Sequence, residues 1–185
     1  LPATTPSTSM RDYDEVRVAG ALLLAVEQAC VNLSFFIDEP TSEYLRGVSP
    51  TGWYPLHTYT ALLDLVASRY ADPAPILERI GSEMIRIWYQ TGAAGLVQSA
   101  VEFLQFQTSS RGYYSMVQGP PDKIGTFELV ELDEQAGTAV LRSTTPFSKD
   151  LERGVILAGI SVPQPLAYAN VDNSADVHTY LIEFH

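Results

Sequence analysis

Along the first two thirds of the chain, apolar residues recur at the three- and four-residue intervals that place side chains on one face of an α-helix. β-Branched Val16 and Val18 open the pattern as a short strand, and Leu22, Leu23, Val26, Cys30 and Leu33 continue it as a helical stripe. Asp38 to Glu43 has the composition of a turn leading into a helix, anchored by Tyr44 and Leu45 and ended by Gly47. The spacing of Trp53, Leu56, Tyr59, Leu62, Leu63, Val66 and Tyr70 predicts a stronger helix starting at Thr51-Gly52-Trp53-Tyr54-Pro55, since proline's missing N–H costs nothing in a first turn. Asp72-Pro73-Ala74-Pro75 breaks that helix and caps the next, which carries Ile76, Leu77, Ile80, Met84, Ile87 and Trp88 on one side and stops at Gly92. Leu96, Val97, Ala100, Val101 and Leu104 predict one more helix.

After Arg111 the period shortens. Gly112, Gly119, Pro120 and Pro121 punctuate a loop, and alternating β-rich sequence follows. Thr126–Leu132 and Thr138–Thr144 flank a polar turn at Asp133 to Gly137 and read as a hairpin. Ser148 offers its hydroxyl as the cap of a helix running to about Ile160, in which Gly154 and Gly159 weaken helix propensity and signal close packing instead. Tyr168–Asp172 and Val177–Phe184, joined around Asn173 and Ser174, form a second hairpin. The expected fold is α+β: a mainly helical N-terminal part (16–110) packed on a four-stranded antiparallel sheet of ββαββ order (111–185). Residues 1–10, rich in Pro, Thr and Ser, read as a flexible linker or appended tail, and 11–185 as one domain.

Composition sharpens this picture. Hydrophobic residues make up 46% and charged residues 18%, enough apolar surface to fold one core. The 22 acidic against 11 basic residues give a net charge of −11 with no basic run, which repels nucleic acid and anionic membrane surfaces. Apolar stretches such as Ala19–Val26 are far shorter than the ~20 residues needed to span a bilayer, so a cytoplasmic protein is expected. Cys30, the single cysteine, excludes an internal disulfide and a cysteine-rich zinc site and reads as a core thiol.

Candidate chemistry is sparse. There are three histidines, His57, His178 and His185, and no HExxH, GxSxG, Walker A or GxGxxG pattern. Asp133 and Glu134 fall in a turn, and Asp150 and Glu152 in a first helical turn where they complement the helix dipole as solvated charges. No catalytic residue and no metal set is assigned, and the chain is not expected to be an enzyme. His57, on a helix beside aromatic residues, has the chemistry of a metal or haem ligand as well as of a structural histidine. Trp53, Tyr54, Trp88, Tyr89, Phe103 and Phe106 have the spacing either of a pocket lining or of ordinary core.

Trp53-Tyr54-Pro55-Leu56 before a long helix, the Ile80-Gly81 helix, and Pro146-Phe147-Ser148-Lys149-Asp150-Leu151-Glu152-Arg153-Gly154 before an apolar helix and a hairpin resemble the superfamily of haem-nitric-oxide/oxygen-binding (H-NOX) and vinyl-reductase-type ligand-binding domains. The resemblance spans roughly Val16 to Phe184. It implies a sensory module with a pocket between helices and sheet that takes haem or another small apolar molecule. The haem-binding branch uses a proximal histidine before the hairpin and a Tyr-x-Ser-x-Arg motif beyond it. Here Ser109 to Met116 carries Tyr113 and Tyr114 but no histidine, and the later stretch reads Thr145-Pro146-Phe147-Ser148-Lys149. Lacking the axial imidazole and the guanidinium fork for propionates, the chain is expected to be a haem-free relative. The expected function is binding of a small apolar or aromatic ligand by Trp53, His57, Trp88, Tyr113 and Tyr114, with output through a homodimer, an attached signalling domain or a partner protein. A ligand-free interaction domain is the alternative, and a haem-based gas sensor the next. The linker-like opening and the close at His185 suggest part of a longer protein.

Overall fold

A computed structural model describes residues 15–35 and 37–185; the linker expected at 1–10 lies outside them. Strand β1 (Arg17–Ala19) runs directly into helix α1 (Gly20–Asn32), followed by α2 (Glu39–Arg46), β2 (Trp53–Pro55), α3 (Leu56–Ala67), α4 (Ala74–Thr91) and α5 (Ala100–Gln107). Then come α6 (Tyr113–Met116), β3 (Val117–Gln118), α7 (Pro121–Ile124), β4 (Phe127–Asp133), β5 (Thr138–Ser143), α8 (Lys149–Ser161), β6 (Ala169–Asp172) and β7 (Thr179–Phe184). The predicted α+β class and ββαββ order of the C-terminal half are both present, with the antiparallel sheet ordered β4-β5-β7-β6. Among the described residues no helix is long and apolar enough to cross a membrane.

Two expectations are corrected. Trp53, Tyr54 and Pro55 do not form the first turn of α3; they make β2, paired antiparallel with β1, and β1 pairs on its other side with β3. Proline biases the residue before it towards extended backbone, and the backbone groups of β1 give that extended segment partners. The helix expected from Leu96 instead begins at Ala100, because Ser99 caps it: its Oγ accepts from Glu102 N at 3.1 Å while the Glu102 carboxylate reaches back to Gln98 N at 2.7 Å. Leu96 is consequently left exposed, while Val97 stays buried.

Other starts follow the sequence signals. Asp38 Oδ1 accepts from Thr41 N at 3.0 Å to cap α2, and Ser148 Oγ accepts from Leu151 N at 3.3 Å to cap α8. The N-terminus of α1 is held by backbone instead: Gly20 N and Ala21 N donate to the carbonyls of Gly52 and Pro50 at 2.8 and 3.0 Å.

The layers are sheet, α8, α4 and α1, each packed on the next. The α4–α8 crossing is a backbone-to-backbone approach. A Cβ added at Gly154 would overlap the Glu78 carbonyl oxygen, and one at Gly81 would overlap that of Leu151. Ser82 Oγ, buried in the same contact, donates to Gly154 O at 3.0 Å. Arg153 pairs with Glu78 on α4 and donates from Nε to Val171 O on β6 at 2.7 Å, so one side chain ties both neighbours to α8. Gly159 likewise leaves room for the ring of Phe103 on α5.

Gly154→Ala is therefore expected to lose about 1–3 kcal/mol of stability in urea denaturation, the range for overpacking a filled contact, although alanine is the better helix former. Gly95→Ala, where an added Cβ meets nothing within 4 Å, is expected to stay within about 0.5 kcal/mol of the parent.

Candidate ligand-binding site

A cavity of about 480 Å³ lies between α1, α4 and the segment from the end of α5 through α6, with the start of α8 behind it. That volume is in the usual ~300–1,000 Å³ range of small-molecule sites. The sequence builds it by contrast of size. Helix α1 contributes Ala21 and Ala25 beside Leu22 and Leu24, so one helical face is indented, and α4 contributes Met84, Ile85, Ile87 and Trp88 from its own stripe. Gly112 allows the chain to turn from α5 into α6: a Cβ there would strike the backbone of Phe106 and Gln107. The turn delivers Tyr113 and Met116 to the cavity wall.

Aromatic rings wall two ends. Trp88 packs against Phe106 at 5.3 Å and Phe103 at 6.4 Å between centroids. Phe147 packs on Tyr59 at 5.3 Å and Tyr113 at 5.7 Å, and Tyr113 packs on Phe127 at 5.9 Å. Polar groups on the wall are few: Gln28, Thr91, Gln107, Arg111 and Glu152, plus the tyrosines.

Glu152 departs from the solvated role that its place in a first helical turn predicts. It is 5% exposed. Its Oε2 accepts from Ser143 Oγ at 2.8 Å, Lys149 Nζ at 3.0 Å and Tyr180 OH at 2.9 Å, and its Oε1 accepts from the Thr145 hydroxyl. Lys149 Nζ also donates to Ser143 Oγ at 2.9 Å and Thr145 O at 3.0 Å. The cluster joins the start of α8 to β5 and β7. Burial, followed by the charge of Glu152, pushes the Tyr59, Tyr113 and Tyr180 phenols up, so all three stay protonated, and Tyr180 OH donates to Glu152 Oε2 and Lys149 O. Tyr113 OH donates to Ile124 O.

Of the residues singled out in the sequence, Trp88 and Tyr113 line the cavity. Tyr114 stands beside Tyr113 at 5.1 Å, and its hydroxyl oxygen accepts from Phe127 N at 3.2 Å at the start of β4. Trp53 lies in β2, and His57 is exposed on α3, on the side away from buried Leu56 and Tyr59; neither is on the cavity wall. The cavity brings in Tyr59, Phe147, Arg111 and Glu152, which the sequence reading did not select. Tyr59 sat in a helical stripe indistinguishable from core, and Phe147 and Glu152 belonged to a segment whose polar residues read as helix cap and solvated charge.

The architecture matches solved H-NOX structures over most of its length. A doubly substituted Tt H-NOX aligns with TM-score 0.63 and 10% identity over 90% of this chain and 94% of that one. An unliganded Fe(II) H-NOX protein variant from K. algicida aligns with TM-score 0.59 and 10% identity over 90% and 96%. An oxygen-binding H-NOX domain related to soluble guanylate cyclases, in its oxygen complex, gives 0.57 and 11% over 89% and 93%. No family model and no curated protein matches the sequence. The chain thus has an H-NOX-like fold, shared at a sequence distance where fold alone carries over.

That fold implies haem, and the donor set on this cavity wall does not fit it. No imidazole is among the residues lining it; the donors are protonated phenols, the thioethers of Met84 and Met116, the neutral oxygens of Gln28, Thr91 and Gln107, and a Glu152 carboxylate engaged by Lys149 and three hydroxyls. Two propionates would meet one guanidinium, Arg111, because Lys149 is committed to Glu152. Among the described residues no group of three or more His, Cys, Asp or Glu is placed to hold a metal ion.

Lys149→Met is expected to cost about 3–5 kcal/mol in urea denaturation, the cost of leaving a buried carboxylate without its counter-charge. Cys30 is buried on α1, and burial, followed by the Glu27 charge, pushes its thiol from 9.0 to about 11. The unfolded chain then loses that proton before the folded one, so the thiol's contribution is full below about pH 9 and is lost as pH rises towards about 11. The urea midpoint of the parent is expected to fall more between those pH values than that of Cys30→Val.

Proposed function

We propose that this chain is a sensory domain that holds a small apolar or aromatic molecule in the cavity between α1, α4 and α6. The observation that carries the reading is the wall itself: a cavity of about 480 Å³ faced by Trp88, Phe106, Phe147, Tyr59 and Tyr113, with its one carboxylate already accepting from four donors. An H-NOX-like fold around it supports sensing, since its solved neighbours include an oxygen-binding domain related to soluble guanylate cyclases. Phe147, Leu151 and Val155 place the occupant against α8, and α8 packs on β6 and β7, so ligand occupancy favours one seating of α8 on the sheet. Output then passes through a homodimer, an attached signalling domain or a partner protein.

Binding, not catalysis, is the better use of this chemistry. Ser143 and Lys149 are 2.9 Å apart, as a serine nucleophile and its base require, but Ser143 is fully buried away from the cavity wall and Lys149 serves as a charged donor to Glu152. A single buried thiol and an acidic composition suit the cytoplasm.

The test uses Trp53→Phe, which leaves Trp88 as the sole tryptophan. Titration with 1-aminoanthracene is expected to quench Trp88 by energy transfer with saturation. Ala25→Phe, which fills the indented face of α1, is expected to weaken that binding about tenfold or more, equivalent to roughly 1.4 kcal/mol. Unsaturable quenching, unchanged by Ala25→Phe, would remove the cavity from the account.

A further inference from the structure

Arg111 is the one cation among the described residues lining the cavity, and its surroundings hold it ready for an anion. Its guanidinium lies over the Phe106 ring, 5.5 Å from the centroid, at an exposed edge of the cavity that Thr91 and Gln107 share. Its backbone is fixed: Arg111 N donates to Ser109 Oγ at 3.2 Å, and Arg111 O accepts from Ser115 Oγ at 2.8 Å. Among the described residues no carboxylate pairs with the guanidinium. The buried charge on the wall is already engaged. Glu152 already accepts from four donors, three on Oε2 and one on Oε1, and the Lys149 ammonium is spent within the same cluster. The site therefore has an aromatic interior whose one carboxylate is already engaged, and a planar, always-charged fork at an exposed position on its wall.

We infer that the cavity selects an aromatic carboxylate, its ring body among Trp88, Phe147 and Tyr113 and its carboxylate on the Arg111 guanidinium. Guanidinium and carboxylate match as a two-pronged pair, and stacking on Phe106 leaves the N–H edges free to point at it. A ligand carboxylate set against Glu152 would meet like charge, so the wall disfavours that pose. The inference rests on the cavity being a ligand site and adds the charge of the ligand and the residue that reads it.

Isothermal titration calorimetry with 2-naphthoate and its neutral isostere 2-naphthamide tests it, on the parent chain, Arg111→Gln and Arg111→Lys. The parent is expected to bind the carboxylate about tenfold or more tightly than the amide, since hydrogen bonds to an ionised partner are roughly twice as strong as neutral ones. Arg111→Gln is expected to bring the two affinities within about twofold by weakening the carboxylate alone, and Arg111→Lys to fall between, keeping the charge without the fork. Arg111 is exposed, so all three proteins should melt alike. Equal affinities in the parent, or a preference that survives Arg111→Gln, would overturn the inference. So would binding of 1-aminoanthracene with neither naphthalene compound bound, which leaves the cavity reading intact. Failure of all three probes would overturn both.

Discussion

The close approach of α4 and α8 is the constraint on which the remaining structure depends. Two helices packed through ordinary side chains sit about 8–10 Å apart; here Gly81 and Gly154 let backbone meet backbone, and Ser82 donates across the contact to Gly154 O. With α8 pressed on α4, residues of α8 face two ways. Leu151, Glu152 and Val155 reach the cavity that α4 shares with α1, while the same helix packs on β6 and β7. Arg153 ties both contacts together by pairing with Glu78 and donating to Val171 O. The cavity and the sheet are therefore separated by one helix.

The buried polar cluster at the start of α8 sets that helix's position on the sheet. An ion pair with little solvent contact is poor evidence of net stabilisation, because desolvation offsets most of the attraction. Its value here is specificity: Glu152 and Lys149 are satisfied only when Ser143 at the end of β5, Thr145 just beyond it and Tyr180 on β7 all stand in place. The cluster ties the start of α8 to the sheet, next to Phe147, whose ring packs against Tyr59 and Tyr113.

Much of this was legible in the sequence, in proportion to how local each signal was. Caps at Asp38, Ser99 and Ser148 use residues three positions away, and Ser148 and Asp38 marked their helices directly. The hairpins announced themselves by alternation and polar turns, and the glycines of α8 announced close packing. The β2 strand was hidden because its partner, β1, lies more than thirty residues earlier, and the helical stripe after it extended plausibly through Pro55. The candidate site was harder for the same reason. Trp88 and Tyr113 stood out by type, but Tyr59 shared its stripe with buried Leu62, Leu63 and Val66, and periodicity does not separate a residue facing a cavity from one facing core. Glu152 looked like any acidic residue in a first helical turn; only the strands folded over it, distant in sequence, show it to be buried.

The H-NOX-like fold here surrounds a cavity with no imidazole among the residues lining it. One solved neighbour carries a haem whose porphyrin the protein distorts; the cavity here is apolar and aromatic, with one guanidinium among its lining residues. Native mass spectrometry of protein purified from cells, paired with its absorption spectrum and with the mass after denaturation, tests this most directly. A noncovalent organic adduct that is released on denaturation, with no haem-type band, is the expected result; stoichiometric haem with a strong absorption band would contradict it.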